Sequence, residues 1–256
     1  MIELKNIQAG YEDAEGKNIL KVESADFEEG AITGIVGLNG SGKSTLLRTI
    51  LGMTSISSGT VLIDGKILKL LGHKGRACEI AYLPQSYMAA NMDVFTLVSH
   101  GRFPYLGFSK ILGYKDIELI ENALRLTDLW DLREKRLFEI SGGQRQRAYL
   151  AMVIAQNTKY ILLDEPVSAL DVKHQVEFLE LLKKLALDGR GIVITSHDLP
   201  QAFSVCSKIC LMKNGSITAE GTPEELVSCS QLSLVMGISL HPSDSADAVY
   251  NYYLCR

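Results

Sequence analysis

No stretch of the sequence approaches the roughly 18 consecutive apolar residues that cross a bilayer, and its oiliest segments, such as Tyr149 to Ala155, are far shorter. The chain is expected not to span a membrane by itself. The opening Met1-Ile2-Glu3-Leu4-Lys5 lacks a basic flank followed by an apolar stretch and a small-residue cleavage site. Export is therefore not signalled, and a cytosolic location is expected. No block of five like charges occurs, and 26 basic residues face 30 acidic ones for a net charge of -4. That balance lacks the footprint of a nucleic-acid binder, so no nucleic-acid partner is expected. Five cysteines (Cys78, Cys206, Cys210, Cys229 and Cys255) show neither Cys-x-x-Cys pairing nor histidines at ligand spacing. They read as reduced thiols without a metal role. Internal repeats and low-complexity linkers are also missing, which excludes a repeat array and leaves no compositional domain boundary.

What the sequence does contain is the balance of a folding chain. Its 256 residues are 46% hydrophobic and 22% charged, enough for one large domain or one core carrying an insertion. Ala31 to Gly37 is a short, mainly apolar run suited to a strand buried on both faces. Lys43 to Leu51 then sets Leu46, Leu47, Ile50 and Leu51 at helical spacing, with Gly52 where a C-terminal cap belongs. From Ile56 to Leu70, alternations broken at Ser57-Ser58-Gly59 and Asp64-Gly65 predict small antiparallel strands joined by tight turns. Residues from about 86 to 156 have a helical texture, with Asp116 as the expected cap of a helix whose Ile117, Ile120, Leu124 and Thr127 share a face. Strand and helix alternate again over Tyr160–Leu163, Val172–Leu187, Gly191–Thr195 and a helix after His197. Lys213-Asn214-Gly215-Ser216 predicts a hairpin, and Thr222-Pro223-Glu224-Glu225 a capped helix start. The expected fold class is α/β, with a mainly parallel central sheet, a small antiparallel β subdomain and an inserted helical subdomain.

Chemistry concentrates at the ends of the predicted strands. Gly37-Leu38-Asn39-Gly40-Ser41-Gly42-Lys43-Ser44 fits G-x-x-x-x-G-K-[ST] between a strand and a helix, the context that a phosphate loop requires. Glycines let backbone N–H groups converge on phosphate oxygens, and the helix that follows aims its positive end at them. Lys43 adds a positive charge near the β and γ phosphates, and the Ser44 hydroxyl can bind Mg²⁺. The pattern predicts a P-loop fold and a nucleoside triphosphate. Tyr160-Ile161-Leu162-Leu163-Asp164-Glu165 is an apolar strand ending in two carboxylates at the ligand-binding edge of a parallel sheet. Asp164 is expected to help hold Mg²⁺ and Glu165 to orient and deprotonate attacking water.

In one fixed order the chain carries the phosphate loop, Gln85 after the apolar Tyr82-Leu83-Pro84, Ser141-Gly142-Gly143-Gln144, the acidic strand end, Ser168-Ala169-Leu170-Asp171, and Thr195-Ser196-His197-Asp198. Together these resemble the nucleotide-binding subunit of ATP-binding cassette (ABC) transporters, over nearly the whole chain up to about Leu226. Leu38 stands where that family more often has proline, and Ile140 where it has leucine. The resemblance implies a cassette over 1–226, with its core in 1–85 and 157–226 and its helical subdomain in about 86–156. Residues 227–256 form an extension of unassigned role. It further implies that Tyr11 stacks on adenine, that the loop from Gly37 to Thr45 cradles the phosphates, and that Gln85 senses Mg²⁺ and lytic water. In the same way His197 is implied to contact the γ phosphate and Asp171 to couple two sites.

In ATPases of this kind two copies sandwich two ATP molecules, so the resemblance implies a homodimer in which Ser141, Gly142, Gly143 and Gln144 of one copy face the phosphate loop of the other. A second glycine-rich helix start suits donation to the γ phosphate from the opposite side. Asp93 to Val98 followed by Gly101-Arg102-Phe103-Pro104-Tyr105 resembles the segment after the glutamine in ATPases of importers for ferric siderophores, haem and cobalamin. That resemblance implies membrane permease partners docking near Pro104 and Tyr105, an extracytoplasmic solute-binding protein acting indirectly, and a place at the cytoplasmic face of the membrane. Cassette ATPases acting in DNA repair or on ribosomes usually bring tandem cassettes or long insertions, and neither is present. An importer of another solute, such as free metal ions, stays open at this point.

Overall fold

The computed structural model describes residues 1–11, 20–87, 91–108, 110–168, 170–227, 229–242 and 250–254. In chain order the first elements are β1 (Ile2–Gly10), β2 (Leu20–Phe27), β3 (Ile32–Val36), α1 (Lys43–Ile50), β4 (Ser55–Ile63), β5 (Lys66–Ile67), α2 (Gly72–Glu79) and β6 (Ile80–Leu83). Helices α3 (Val94–Ser99), α4 (Tyr114–Leu126) and α5 (Gly142–Gln156) come next. Alternation resumes with β7 (Tyr160–Asp164), α6 (Val172–Leu187), β8 (Gly191–Ser196), α7 (Leu199–Val205), β9 (Lys208–Lys213) and β10 (Ser216–Gly221). The chain ends in α8 (Pro223–Val227), α9 (Ser230–Met236) and a hairpin of β11 (Ile238–Pro242) and β12 (Tyr250–Leu254).

Two sheets organise the fold up to β10. The six-stranded central sheet has the order β10-β9-β3-β8-β7-β6, parallel from β9 to β6 with β10 antiparallel at one edge. Every residue of β3, β7 and β8 is buried, as the apolar runs require of strands covered on both faces. Strand periodicity sorts their side chains between two cores. Val36, Leu163 and Ile194 join the core shared with Val98, Leu124 and Leu150 of the helical subdomain. Their neighbours Ile35, Leu162 and Val193 pack with Leu46, Leu47 and Ile50 of α1 and with Ile2, Val22, Phe27 and Val61 of the antiparallel sheet β2-β1-β4-β5.

Local chemistry differs from the sequence expectation at two places. Ser57-Ser58-Gly59 does not end a strand, because β4 runs through it and its register against β1 slips between Lys5 and Gln8. Gly59 sits in the left-handed region at φ 88° with the Asn6 carbonyl pressed against it, so a side chain there would collide with backbone and the residue makes a bulge instead of a turn. Asp116 is the third residue of α4 and not its cap; its Oδ2 accepts from the Gly113 N–H at 2.9 Å, and its Oδ1 accepts from Arg102 Nε at 2.9 Å. Arg102 also donates to the Ala155 and Gln156 carbonyls at the end of α5, where a cation opposes the negative end of the helix dipole.

The two sheets are tied at the edge remote from the strand C-termini. Lys159 Nζ donates to Asp64 Oδ2 at 2.6 Å, and the Tyr160 hydroxyl donates to Asp64 Oδ1 at 2.8 Å. Burial by itself would raise the Asp64 carboxyl, but hydrogen bonds from Lys159, the Met1 amino group and Tyr160 outweigh it and bring it down to about 2 from 3.8. A depressed carboxyl contributes stability that is present above 3.8 and disappears as the pH falls through about 2. Asp64→Asn suits the local backbone, since asparagine tolerates the positive φ of 49° there. Denaturant unfolding at neutral pH is expected to show it less stable by about 1–2 kcal/mol, with the gap to the natural chain closing over that acid window.

Candidate functional site

The site forms where the parallel strands end. Val36 of β3 is in register with Ser196 of β8, Asp164 of β7 with Thr195, and Leu83 of β6 with Leu163. The four loops that follow these strands therefore open at one edge of the sheet, the position where α/β proteins collect ligand-binding groups. They carry the phosphate loop, Gln85, Glu165 and His197.

The phosphate loop is held against the sheet. The Met212 carbonyl lies 2.2 Å from where a Cβ on Gly37 would stand, so only glycine allows this approach. Gly40 and Gly42 are left-handed at φ 80° and 104°, turning the backbone into α1, which begins at Lys43. The Lys43 side chain is buried and donates from Nζ to the Gly37 carbonyl at 2.8 Å and the Leu38 carbonyl at 3.3 Å. Burial pulls its ammonium below the usual 10.5, a fall that the charges of Glu165 and Asp164 partly offset. Ser41 Oγ is buried without a hydrogen-bond partner, an orphaned polar atom inside the loop. Leu38, Asn39 and Gly40 are exposed at the rim, and Thr45 follows Ser44 in the first turn of α1.

Across the loop, Asp164 gathers three hydroxyls. Ser44 Oγ and Thr195 Oγ1 donate to its Oδ1 at 2.9 and 2.7 Å, and the Tyr82 hydroxyl to its Oδ2 at 3.4 Å. Glu165 is the focus of charge. Its Oε1 lies 3.8 Å from Lys43 Nζ, its Oε2 accepts from Gln85 Nε2 at 3.0 Å, and His197 Nδ1 is 3.4 Å from that same oxygen. The glutamate backbone is left-handed at φ 48°, with its N–H donating to Thr195 Oγ1 at 2.9 Å. A cleft of about 120 Å³ lined by Glu165, Ser168, Thr195 and His197 opens beside the carboxylate, room for several waters. An orphaned hydroxyl, a buried ammonium and a hydroxyl paired with a carboxylate fit a phosphate group accompanied by a divalent cation.

The remaining predicted residues stand apart from this focus. Tyr11 is partly exposed at the end of β1, and its hydroxyl accepts from Arg48 Nη1 at 2.9 Å. Ser141 caps α5: its Oγ accepts from the Gln144 N–H at 3.2 Å, while Gln144 Oε1 accepts from the Ser141 N–H at 2.9 Å. This reciprocal pair leaves Ser141 and Gly142 exposed at the positive end of a 15-residue helix, with Gly143 beside Leu170. Asp171 caps α6 and accepts from the His174 N–H at 3.0 Å. That backbone hydrogen bond, with the His174 ring, lowers its carboxyl. Ala169, between Ser168 and Leu170, lies outside the described residues. Sequence reasoning missed Thr195 as a site residue; the signal was a hydroxyl closing an otherwise apolar strand two residues before His197. Tyr82 and Arg48 carried no such signal. On the helical subdomain, Phe103, Tyr105, Phe108, Ile111 and Tyr114 are exposed within a short stretch of chain, and the Tyr105 ring lies under the Arg102 guanidinium at 4.1 Å.

Fold and site together define a P-loop ATPase of the cassette type. Residues 20–168 match the family described as ABC transporter, and the chain belongs to that family. It is 38% identical over 256 residues to the probable siderophore transport system ATP-binding protein YusV of Bacillus subtilis, covering 99% of this chain and 91% of that protein. It is 39% identical to the petrobactin import ATP-binding protein YclP of the same organism, over 94% of each, and 36% identical to the ferric enterobactin transport ATP-binding protein FepC of Escherichia coli, over 84% and 80%. Among solved structures, a chain from an ABC transporter in an inward-facing conformation, described as a "putative metal-chelate type", has the same fold, with a TM-score of 0.82 at 24% identity over 99% of this chain and 96% of that one. A dimeric bacterial ABC transporter cassette superposes with a TM-score of 0.76 at 29% identity, over 87% and 99%. The chain is an ATP-hydrolysing transport subunit.

Proposed function

We propose that this subunit binds and hydrolyses ATP to energise an importer of iron(III)-siderophore-type metal chelates. The observation carrying the reading is the convergence of Lys43, Gln85 and His197 on Glu165, beside the three hydroxyls gathered by Asp164. In this reading Glu165 accepts the proton of the attacking water, Gln85 orients that water, and His197 contacts the γ phosphate. Lys43 offsets charge on the β and γ phosphates, while the loop from Gly37 to Thr45 directs backbone N–H groups at them, with Ser41 Oγ as a further donor. Ser44, Asp164 and Gln85 would hold Mg²⁺, whose chemistry is to neutralise charge on the phosphate oxygens. Tyr11 stacks on adenine.

The exposed start of α5 supports a second half of the site supplied by another copy. Ser141, Gly142, Gly143 and Gln144 carry a positive helix end that serves no anion of their own chain among the described residues, and Asp171 caps α6. The functional unit is therefore a nucleotide-sandwich homodimer bound to permease subunits at the cytoplasmic face of the membrane, with an extracytoplasmic solute-binding protein delivering the cargo. The aromatic patch around Pro104 and Tyr105 is the docking surface for the permease. Relatives at 36–39% identity that carry siderophore, petrobactin and enterobactin in their names support the substrate class. The full chain, tagged and expressed in its native host, is expected to copurify with an integral membrane protein and to support ATP-dependent uptake of a ferric siderophore. Copurification without uptake of any such chelate would remove the substrate class.

A further inference from the structure

Glu165 is held in a backbone conformation that its own sequence opposes. Its φ of 48° is left-handed, which costs a non-glycine residue energy, and Pro166 next to it restricts it further. Such strain persists only where surrounding groups over-determine it. Upstream the restraint is the Thr195 hydroxyl on the Glu165 N–H, and the Glu165 carbonyl accepts from Ser168 Oγ at 3.1 Å. Downstream, the carbonyls of the following loop are taken up by side-chain amides from two different helices. Gln146 of α5, buried at 7% exposure, donates from Nε2 to the Pro166 carbonyl. Gln175 of α6 donates from Nε2 to the Leu170 carbonyl at 2.9 Å and the Val167 carbonyl at 3.3 Å, and its Oε1 accepts from Gln201 Nε2 of α7 at 3.5 Å. Val167 and Leu170 are buried between these contacts.

We propose that Gln146 and Gln175 form an amide clamp that positions Glu165, and that Gln146 ties this position to α5, the helix whose start carries Ser141. Gln146 lies two residues beyond Gln144, so a shift of the α5 N-terminus moves the Pro166 carbonyl through one side chain. Gln175 also lines the cleft beside Glu165, but the hydrogen bonds of both amides go to carbonyls of the loop; both act through that loop, and both are positioning residues. The clamp rests on the reading of Glu165 as the base for ATP hydrolysis.

Gln146→Met and Gln175→Met keep approximate side-chain volume and remove the donor. Each is expected to lower the steady-state kcat of the purified full chain about 10- to 100-fold, the scale of displacing a catalytic group by an ångström, with KM for ATP unchanged. Gln146→Glu supplies the readout that a purely structural role would not move. Its carboxyl donates only when protonated, and burial raises its titration, so kcat relative to the natural chain is expected to recover as the pH falls. Gln175 lies at a less enclosed site, which keeps the test open if Gln146→Met fails to fold. Unchanged kcat in the Gln175→Met variant, or a fall matched by an equal rise in KM, overturns the clamp, as does a Gln146→Glu profile parallel to that of the natural chain. A natural chain that hydrolyses no ATP overturns the functional reading as well, and so is distinguishable.

Discussion

Glu165→Gln is expected to leave ATP binding intact and to lower steady-state hydrolysis about 10²- to 10⁴-fold, the usual contribution of a positioned general base. The amide is close to isosteric and its oxygen can still accept from Gln85 Nε2, so the surroundings should change little. What goes is the proton-accepting charge, and with it the ion pair 3.8 Å from Lys43. That ammonium then has Asp164 as its remaining carboxylate, and nucleotide phosphates become the better partner. Phosphate release followed over time gives the rate, and size-exclusion chromatography with ATP and Mg²⁺ gives the assembly. A stable ATP-bound dimer is expected because the two copies are held together by uncleaved triphosphate. Hydrolysis by the variant at the rate of the natural chain would assign the base to another group.

Much of this site could be read from the sequence because its parts are local. The phosphate loop needs glycines where backbone meets ligand and backbone meets backbone, and Gly37 against the Met212 carbonyl is such a place. Asp164 ends one apolar strand, and Glu165 and His197 directly follow such strands, so reading them as parallel strands puts all three at one sheet edge. Contacts between distant segments were not legible. Thr195 bridges Asp164 and the Glu165 N–H only because β7 and β8 are adjacent and in register, and no spacing in the chain encodes that register. Gln146 and Gln175 meet the loop after Glu165 through helix placement in three dimensions. The same limit explains the strand errors: Ser57-Ser58-Gly59 has turn composition, but pairing with β1 carries the strand through it as a bulge. Asp116 uses its cap chemistry from the third helical position, accepting from the Gly113 N–H, and through Arg102 it also links α4 to the end of α5. The terminal hairpin β11–β12 lies where the sequence pattern was least informative.

Lys43→Met separates binding from folding more sharply than any other change here. In the free protein the ammonium is poorly compensated: burial lowers its titration from 10.5, and the two carboxylates offset only part of that. A lysine depressed in the folded state makes the unfolded chain the better proton binder between the lowered value and 10.5, so stability rises with pH through that window and the penalty is complete below it. Methionine removes this penalty and keeps the stem, while leaving the Gly37 carbonyl without its donor. These effects oppose one another, and the nucleotide-free variant is expected to melt within about 1 kcal/mol of the natural chain. Binding responds differently, because in the proposed site the charge that methionine lacks serves the β and γ phosphates. Loss of a buried charge partner of this kind costs about 2–4 kcal/mol, or roughly 30- to 1,000-fold in Kd. A thermal scan shows both effects at once. ATP at about 100 times the natural Kd stabilises the natural chain by roughly 2.7 kcal/mol and is expected to stabilise the variant by no more than about 0.9 kcal/mol. An equal ATP-dependent shift in both proteins would mean that the phosphates lie elsewhere, and with them the whole site built around Glu165.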